Sequence, residues 1–234
     1  MTTKITTLLK FFQQFGEVIV EADGEVAVSV LNVGSCGSYL ALPQNTFENE
    51  YYVTSWTPTT GSANIALVIL CTQVGQLSIS FTGDSTQSIF YGDGFEIPAN
   101  KKNQVVSCAQ NVNVHVFQTD ADISGTKIVS ATPVAVLVAD KSLTIGPSTI
   151  ADFTVSQFPP TKSYGKEFVV PPIPVDGSQY FIKIVTTKAG TVTVSGDTTY
   201  TATRGGEVFT IDVDDNRAVH ILGSSELLVV QYSK

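Results

Sequence analysis

The chain has few basic residues, and they are scattered along it. Its 13 lysine and arginine residues stand against 21 aspartate and glutamate residues, which gives the 234-residue chain a formal net charge of −8. Lys101 and Lys102 form the only adjacent basic pair. Because the phosphates of nucleic acids are bound by clustered basic surfaces, the sequence predicts no nucleic-acid partner.

Long apolar runs are also absent. A membrane-spanning helix needs about 20 consecutive apolar residues, and no stretch of the chain approaches that length. Residues 1–16 contain a short apolar stretch, but Lys10 interrupts it and no small-residue cleavage site follows. The sequence therefore predicts no membrane insertion, and no signal peptide is evident in it.

Cysteine and histidine are scarce, with three and two residues respectively. An odd number of cysteines leaves at least one thiol unpaired or bonded to another chain. Cys71 ends an apolar run and is predicted to be a small buried side chain. Cys36 and Cys108 lie beside turn-forming residues and could form a disulfide, which their spacing does not decide. Two histidines without a Cys/His cluster predict no zinc site.

Valine, threonine, serine and glycine are abundant, which favours strands and turns over helices. Residues 26–30 (VAVSV) alternate as in a half-buried strand, and the preceding Asp23-Gly24 pair is typical of a hairpin turn. A strand at 126–130 is predicted to turn at residues 131–133 (ATP) into an apolar strand, 134–138. Residues 1–16 fit a short amphipathic helix, a strand or a frayed end.

Segments of the second half of the chain repeat segments of the first half. Residues 64–72 (NIALVILCT) reappear as 179–187 (QYFIKIVTT), and the turn 83–86 (GDST) reappears as 196–199 (GDTT). Each full unit has about seven short strands with the turn spacing of a β-sandwich. We therefore predict an all-β protein of tandem antiparallel β-sandwich-like repeats, preceded by a partial repeat.

Four divisions of the chain are predicted from this pattern. They are an N-terminal segment of uncertain structure (1–16), a partial first repeat with its link (17–43), a first full β unit (44–150) and a second full β unit (151–234). The partial repeat would leave strand edges and apolar side chains such as Val26 and Val28 uncovered. We expect these side chains either to pack on the unit that follows or to drive self-association.

No residue pattern predicts catalysis, a cofactor or a metal ion. Asp212, Asp214 and Asn216 have the spacing that opens a calcium-binding loop. Arg217, however, stands where that loop needs a glycine, and the twelfth position is Gly223 instead of glutamate. An acidic turn between two strands is the better interpretation.

Neither histidine indicates an active site. His115 and His220 each alternate with the valine or isoleucine face of a strand, so we expect both to be solvated or to line a groove. Cys36 and His115 could form a nucleophile and base, but most such pairings fail on geometry. The protein is therefore predicted not to be an enzyme.

Aromatic residues are the best candidates for a binding surface. Aromatic side chains are enriched at interfaces, although on strands they more often pack in half-buried positions. A groove at the joint of the two full units, near Pro133 and residues 158–164, is the expected location. The predicted ligand-binding surface consists of Tyr39, Tyr51, Tyr52, Trp56, Phe158 and Tyr164.

Seven short segments occur in an order that resembles a known family. They are 38–43 (SYLALP), 50–53 (EYYV), 123–128 (ISGTKI), 133–136 (PVAV), 157–160 (QFPP), 164–168 (YGKEF) and 228–232 (LVVQY). In this order the chain resembles the N-terminal domain of the IgG Fc-binding protein family, which comprises secreted, mucus-associated and cell-surface proteins of animals.

Two departures from the family pattern are visible. Similar proteins tend to carry a cysteine just before the aspartate that is Asp152 here, and this chain has Ala151 instead. The family disulfide at the joint is therefore expected to be absent. Residues 1–16 stand in place of most of a repeat, so we expect a divergent, N-terminally truncated member.

The resemblance implies an extracellular, secreted protein, and the lack of a catalytic residue pattern makes a non-enzymatic protein the expectation. Its expected role is structural or adhesive, in mucus, matrix or host defence, and is exerted through contacts with proteins or glycans. The alternative is a dedicated module that binds one protein or carbohydrate ligand. The resemblance does not imply antibody binding, because that activity belongs to particular members and no residue pattern here can be assigned to it.

Overall fold

The computed structural model describes residues 3–8, 17–31, 37–57, 64–82, 87–92, 94–109, 113–145, 151–174, 179–196, 198–214 and 217–234, with only the backbone described for 3–8 and 17. The strands are β1 (Thr3–Leu8), β2 (Glu17–Ala22), β3 (Val28–Leu31), β4 (Ser38–Ala41), β5 (Glu48–Tyr52), β6 (Ile65–Cys71), β7 (Gly75–Ser80), β8 (Ile89–Tyr91), β9 (Phe95–Ile97), β10 (Asn103–Cys108), β11 (Val114–Thr119), β12 (Lys127–Leu143), β13 (Asp152–Phe158), β14 (Gly165–Val170), β15 (Tyr180–Thr186), β16 (Gly190–Val194), β17 (Thr199–Ala202), β18 (Val208–Val213) and β19 (Val219–Ser233).

Strands account for nearly all regular structure in these residues. The only helices among them are two short 3-10 turns, Gln44–Thr46 and Thr161–Ser163. None of the helices in this described part is long and apolar enough to cross a membrane. The all-β prediction is confirmed, and residues 3–8 form a strand that pairs with β2.

The larger sheet is built around β12, a strand of 17 residues. Residues 127–130 pair with β7, residues 127–129 and Val134 pair with β5, and from Val134 onward the strand pairs with β6 and then β13. The strand order is β10-β7-β12-β6-β11-β8-β9. The turn predicted at residues 131–133 is wrong, because the register against β5 shifts there within one continuous strand. Pro133, which has no N–H to donate, lies at this bulge.

The smaller sheet repeats this plan around β19, a strand of 15 residues. Its order is β17-β16-β19-β15-β18, with β14 also paired to β19. The first part of β19 pairs with β14 and β16, and the second part pairs with β15. The tandem antiparallel architecture is therefore confirmed, with one long strand in each sheet joining its two halves. The repeated turn 83–86 lies outside the described residues.

Strand β6 is buried on both faces, because other chain segments pack on each side of it. Its odd-numbered residues 65–69 join one apolar cluster with β5, β7 and β12, and its even-numbered residues 66–70 join a second. The second cluster contains Tyr39, and Val28 of the partial repeat packs against it, as predicted. Val26, by contrast, remains 39% exposed.

The two sheets meet where two glycines approach each other. Gly125 and Gly206 both have left-handed backbone conformations, with φ of 82° and 80°. A Cβ atom on Gly125 would lie 2.2 Å from the backbone oxygen of Gly206. Val185 and Leu228 of the smaller sheet belong to the main apolar cluster of the larger one. The sheets therefore share one core at this joint.

A disulfide links Cys71, at the end of β6, to Cys108, at the end of β10. Strand β10 pairs with β7 so that Cys108 lies opposite Gly75, shortly after Cys71 in the chain. The two cysteine Cα atoms are consequently 5.8 Å apart. Cys71 is buried as predicted, but it is half of a disulfide. Cys108 does not pair with Cys36, which lies outside the described residues.

Candidate functional site

A cavity of about 500 Å³ opens where the two sheets meet. It is surrounded by the chain after β5, the end of β12, strand β13 and the end of β19. Asp140 of β12 lies opposite Thr154 of β13, so the two side chains share one wall. The aromatic residues that line the cavity are Trp56, Phe158 and Tyr232. We call this space the joint cavity.

Asp140 is a buried acid of the joint cavity, with 3% of its surface exposed. Its Oδ1 accepts a hydrogen bond from the backbone N–H of Ser142 at 3.1 Å, whereas Oδ2 has no hydrogen-bond partner. Burial raises the pKa of Asp140 to about 6, and the nearby charge of Asp120 acts in the same direction. Because a buried carboxylate oxygen without a donor is costly, a ligand that donates a hydrogen bond would be favoured here.

Sequence reasoning missed Asp140, although a signal for it exists. Asp140 directly follows residues 134–139, and all six of them are buried in β12. Acidic side chains are almost never fully buried unless they have a partner. An acidic residue that directly follows such an apolar run is therefore a reasonable candidate for function.

Trp56 and Tyr232 bring the two sheets together at the aromatic side of the joint cavity. The centroid of the Trp56 ring lies 4.8 Å from that of Phe181 and 5.5 Å from that of Tyr232. The Tyr232 hydroxyl shares a 2.7 Å hydrogen bond with Thr54 Oγ1. Burial raises the pKa of Tyr232, so this hydroxyl stays neutral at physiological pH.

Lys183 is a buried cation at the same joint. Its Nζ donates to Asp122 Oδ2 at 2.5 Å, to the backbone oxygen of Ser55 at 2.6 Å and to Ser124 Oγ at 3.0 Å. Nζ also lies 4.6 Å from the centroid of the Trp56 ring. Burial lowers the pKa of Lys183, and the charge of Asp122 opposes that effect. Three acceptors satisfy the three N–H donors of an ammonium group, so Lys183 supports Trp56 and offers no amine nucleophile.

The residues that form this joint all lie within a segment that matches a known family. Residues 37–234 match the family described as IgGFc binding protein. The chain belongs to this family. A human protein named IgGFc-binding protein is 27% identical over 209 residues, and the match covers 87% of this chain. The chain spans 4% of the length of that relative, and no solved structure matches at a significant level.

In this member of the IgGFc binding protein family, the joint cavity includes two of the six predicted surface residues, Trp56 and Phe158. The other four pack in or against the apolar clusters: Tyr39, Tyr51, Tyr52 and Tyr164. The six aromatic residues therefore do not form one continuous surface. Ligand contact by the cavity pair stays a prediction.

The hydroxyl groups of two packed tyrosines, Tyr51 and Tyr164, form hydrogen bonds with the backbone. The Tyr51 hydroxyl donates to the backbone oxygen of Val134 at 2.5 Å, next to the bulge in β12. The Tyr164 hydroxyl donates to the backbone oxygen of Tyr52 and accepts from its N–H. Burial raises the pKa of Tyr51 to about 12, which keeps its hydroxyl a donor. These tyrosines hold β5 and the segment after β13 in place around the joint.

The acidic turn predicted at residues 212–216 meets a lysine of the same chain. Lys234 Nζ donates to Asp214 at 2.7 Å and also to Asp212. Nζ lies 4.4 Å from the centroid of the Phe181 ring, beside the joint cavity. Asn216 lies outside the described residues. An ammonium group of the chain itself therefore lies between the two carboxylates.

The two histidines lie in different environments. His220 is exposed, with its Nε2 2.8 Å from Glu167, as expected for a solvated residue. The prediction that His115 is solvated or lines a groove is wrong, because only 1% of its surface is exposed. Strand β11 is covered on both faces, since Phe117 belongs to the main cluster and Val116 to the second.

Proposed function

We propose that this chain is an extracellular, non-enzymatic binding module that holds one polar group of a protein or glycan ligand in the joint cavity. The observation that carries the proposal is Asp140 Oδ2, a buried carboxylate oxygen at the cavity that has no donor. A volume of about 500 Å³ is within the range of small-ligand sites. A cavity of this size suits one sugar ring or one amino-acid side chain of a ligand better than an extended protein surface.

The lining of the joint cavity supports a ligand group that is polar on one side and apolar on the other. Asp140 and Thr154 offer oxygen atoms on the β12–β13 wall. Trp56 and Phe158 offer aromatic carbon, on which a sugar ring or an aliphatic chain can pack. The Lys183 ammonium group restrains Trp56, which lowers the entropy lost when a ligand binds.

Two observations support the extracellular part of the proposal. Structural disulfides persist mainly in secreted and cell-surface proteins, and Cys71 and Cys108 form one. The human relative is named for binding the Fc region of IgG, which makes an immunoglobulin Fc fragment one reasonable protein probe for this chain. The mucus, matrix or host-defence setting is proposed on family membership alone.

The non-enzymatic part of the proposal is supported by the chemistry of the joint. The hydrogen-bonding capacity of Lys183 is fully used, and the Tyr232 hydroxyl is neutral and bonded to Thr54. Among the described residues that line the joint cavity, no cysteine or histidine is present. A carboxylate that binds a ligand donor therefore fits these residues better than an activated nucleophile does.

The test is a search for a saturable ligand with oxidised, disulfide-bonded protein on glycan and protein arrays that include an IgG Fc fragment. Any hit is then measured by calorimetry with Asp140→Asn, Trp56→Ala and a control, Glu96→Gln, which alters an exposed acid of β9. Hydrogen bonds to charged groups contribute about 1.5–3 kcal/mol, so Asp140→Asn should weaken binding at least about tenfold. Glu96→Gln should bind normally.

Three results would contradict this function. The first is the absence of saturable binding across both arrays. The second is a ligand whose affinity is unchanged by both cavity variants, since it would bind elsewhere. The third is hydrolytic turnover of a bound glycan or peptide.

A structural or adhesive role through self-association is the second candidate. Leu31 of β3 and Leu40 of β4 are exposed apolar residues on a two-stranded sheet. Exposed apolar groups on short paired strands favour association with another copy of the chain. Light scattering should show concentration-dependent oligomers that Leu31→Ser with Leu40→Ser abolishes. A strictly monomeric protein at high concentration would exclude this role.

A further inference from the structure

Three side chains of metal-binding type meet at β6, in the core of the larger sheet. The Sγ atoms of Cys71 and Cys108 and a ring nitrogen of His115 lie within 4.8 Å of one another. The three residues are buried, with 6%, 1% and 1% of their surfaces exposed. They come from β6, β10 and β11, so no sequence spacing reveals the group. In the oxidised protein the two sulfur atoms form the disulfide.

His115 has one ring nitrogen that the oxidised protein does not use. Its Nδ1 lies 2.7 Å from the Tyr91 hydroxyl oxygen, whereas its Nε2 is buried without a hydrogen-bond partner. Burial lowers the pKa of His115, so the ring is neutral at physiological pH. Metal-bound histidines have this form, with one nitrogen on the ion and the other N–H donated to an oxygen acceptor. An unpartnered buried nitrogen next to an oriented one calls for an explanation.

We propose that, when the disulfide is reduced, Cys71, Cys108 and His115 together bind one divalent metal ion of the zinc class. Thiolate and imidazole ligands are the set that such ions prefer. Tyr91 would act as a positioning residue, because its hydroxyl oxygen would accept a hydrogen bond from the Nδ1–H group and so orient the ring. Three protein ligands leave the fourth tetrahedral position to water.

Reduction of the Cys71–Cys108 disulfide by a phosphine is balanced in atoms and electrons. The phosphorus supplies two electrons to the S–S bond and keeps the oxygen of one water molecule. The two protons of that water molecule protonate the two sulfur atoms. Binding of the ion to Cys71 and Cys108 then releases both protons, because the thiolates are the ligands.

The ion would replace the disulfide as the link between the same strands. Zinc–sulfur bonds of about 2.3 Å in a tetrahedral site place the two sulfur atoms roughly 3.8 Å apart. The three ligand atoms already lie within 4.8 Å of one another, so after reduction the two sulfur atoms need only move apart to hold the ion. The reduced, metal-bound protein would therefore keep β6, β10 and β11 together. Because the ion and the disulfide use the same two sulfur atoms, the metal-bound and disulfide-bonded states are mutually exclusive.

Cobalt(II) is a suitable probe, because tetrahedral thiolate coordination gives it intense visible and near-ultraviolet absorption. All proteins carry Cys36→Ser, so that the third thiol does not contribute. The phosphine-reduced protein should bind one cobalt ion per chain, and zinc should displace it. The oxidised protein should bind none.

Matched variants distinguish this site from adventitious binding. His115→Gln should weaken cobalt binding at least about tenfold, and Tyr91→Phe should weaken it about tenfold through loss of the orienting contact. His220→Gln, at the other histidine, should bind cobalt normally. Zinc should raise the melting temperature of the reduced protein, and His115→Gln should remove that increase.

The proposal does not depend on the joint cavity, so either can fail without the other. A reduced protein that folds and binds no cobalt would overturn the proposed metal site. So would equal affinity in His115→Gln, or a reduced protein that is unfolded and stays unfolded when metal is added.

Discussion

Asp140→Asn should change how the stability of this protein depends on pH. Burial raises the pKa of Asp140 from 3.8 to about 6 in the folded protein. Each pKa unit is worth about 1.4 kcal/mol, so the ionised carboxylate lowers the free energy of unfolding by about 3 kcal/mol. Below about pH 4 the carboxyl group is protonated in both the folded and the unfolded chain, and this destabilisation is absent.

The sign of the effect follows from which state holds the proton. Between about pH 4 and pH 6 the folded protein keeps a proton that the unfolded chain has lost, so stability falls as pH rises. Above that range the full destabilisation is present. Asparagine does not titrate, and its amide oxygen can still accept from the Ser142 N–H. The variant should therefore match the wild type near pH 4 and exceed it by about 3 kcal/mol at pH 8.

The assay is urea denaturation at several pH values from 4 to 8, followed by the fluorescence of Trp56. This is the single tryptophan of the chain, and it lies at the joint. Other groups titrate too, including His115, whose lowered pKa destabilises the folded protein as pH falls. Groups that do not interact with Asp140 titrate equally in both proteins and cancel in the difference. Glu96→Gln, at an exposed acid, serves as the control and should track the wild type throughout.

Two outcomes would refute the reasoning about Asp140. Parallel pH profiles for the variant and the wild type would mean that the carboxyl group has an ordinary pKa in the folded protein. A variant that is less stable than the wild type at pH 8 would mean that the ionised carboxylate has a partner. In either case Asp140 would not be a buried carboxylate without a partner, and the proposed ligand contact would lose its basis.

Three further changes test the packing of the joint and its surroundings by urea denaturation. Cys71→Ser opens a disulfide that joins residues 37 apart, and loop entropy predicts a loss of about 4 kcal/mol; an unchanged midpoint would show that the link is absent. Lys183→Met breaks a buried ion pair and should lower the free energy of unfolding by about 2 kcal/mol. This is less than the loss for a fully buried pair, because the partner carboxylate is 31% exposed. An unchanged stability would contradict a stabilising role for Lys183. Gly125→Ala adds a Cβ 2.2 Å from the backbone oxygen of Gly206 and should lower the free energy of unfolding by at least about 2 kcal/mol. The control Gly24→Ala adds a Cβ with nothing within 4 Å and should be nearly neutral. Equal effects of the two alanines would contradict the close approach of the two glycines at the joint.

Several elements could be predicted because their signals are local. The alternation in residues 26–30 predicts a half-buried strand, and β3 lies there at Val28–Leu31 with half-buried and exposed residues alternating. The apolar run at 65–71 is β6, buried throughout as expected of a central strand. Proline was also informative, although Pro133 marks a bulge and not the predicted turn.

The candidate site was less accessible to sequence reasoning. Phe158 and Trp56 line the joint cavity, and ligand binding at the predicted groove stays a prediction. The tyrosines predicted with them, such as Tyr51, pack in the core, because the end of β5 and the residue after it belong to the main apolar cluster. Burial on one face or on both depends on what packs against a strand, and a period of two cannot distinguish these cases.

The amino-acid sequence by itself determined the all-β class, the tandem arrangement and the family, because strand periodicity, turn residues and ordered short segments are all local features of the chain. Only the tertiary structure decided that Cys71 pairs with Cys108, that His115 is buried beside them, and that Asp140 reaches a cavity without a donor. Each of these outcomes depends on strands far apart in the chain lying next to one another, and that neighbourhood sets burial, pKa and interatomic distance.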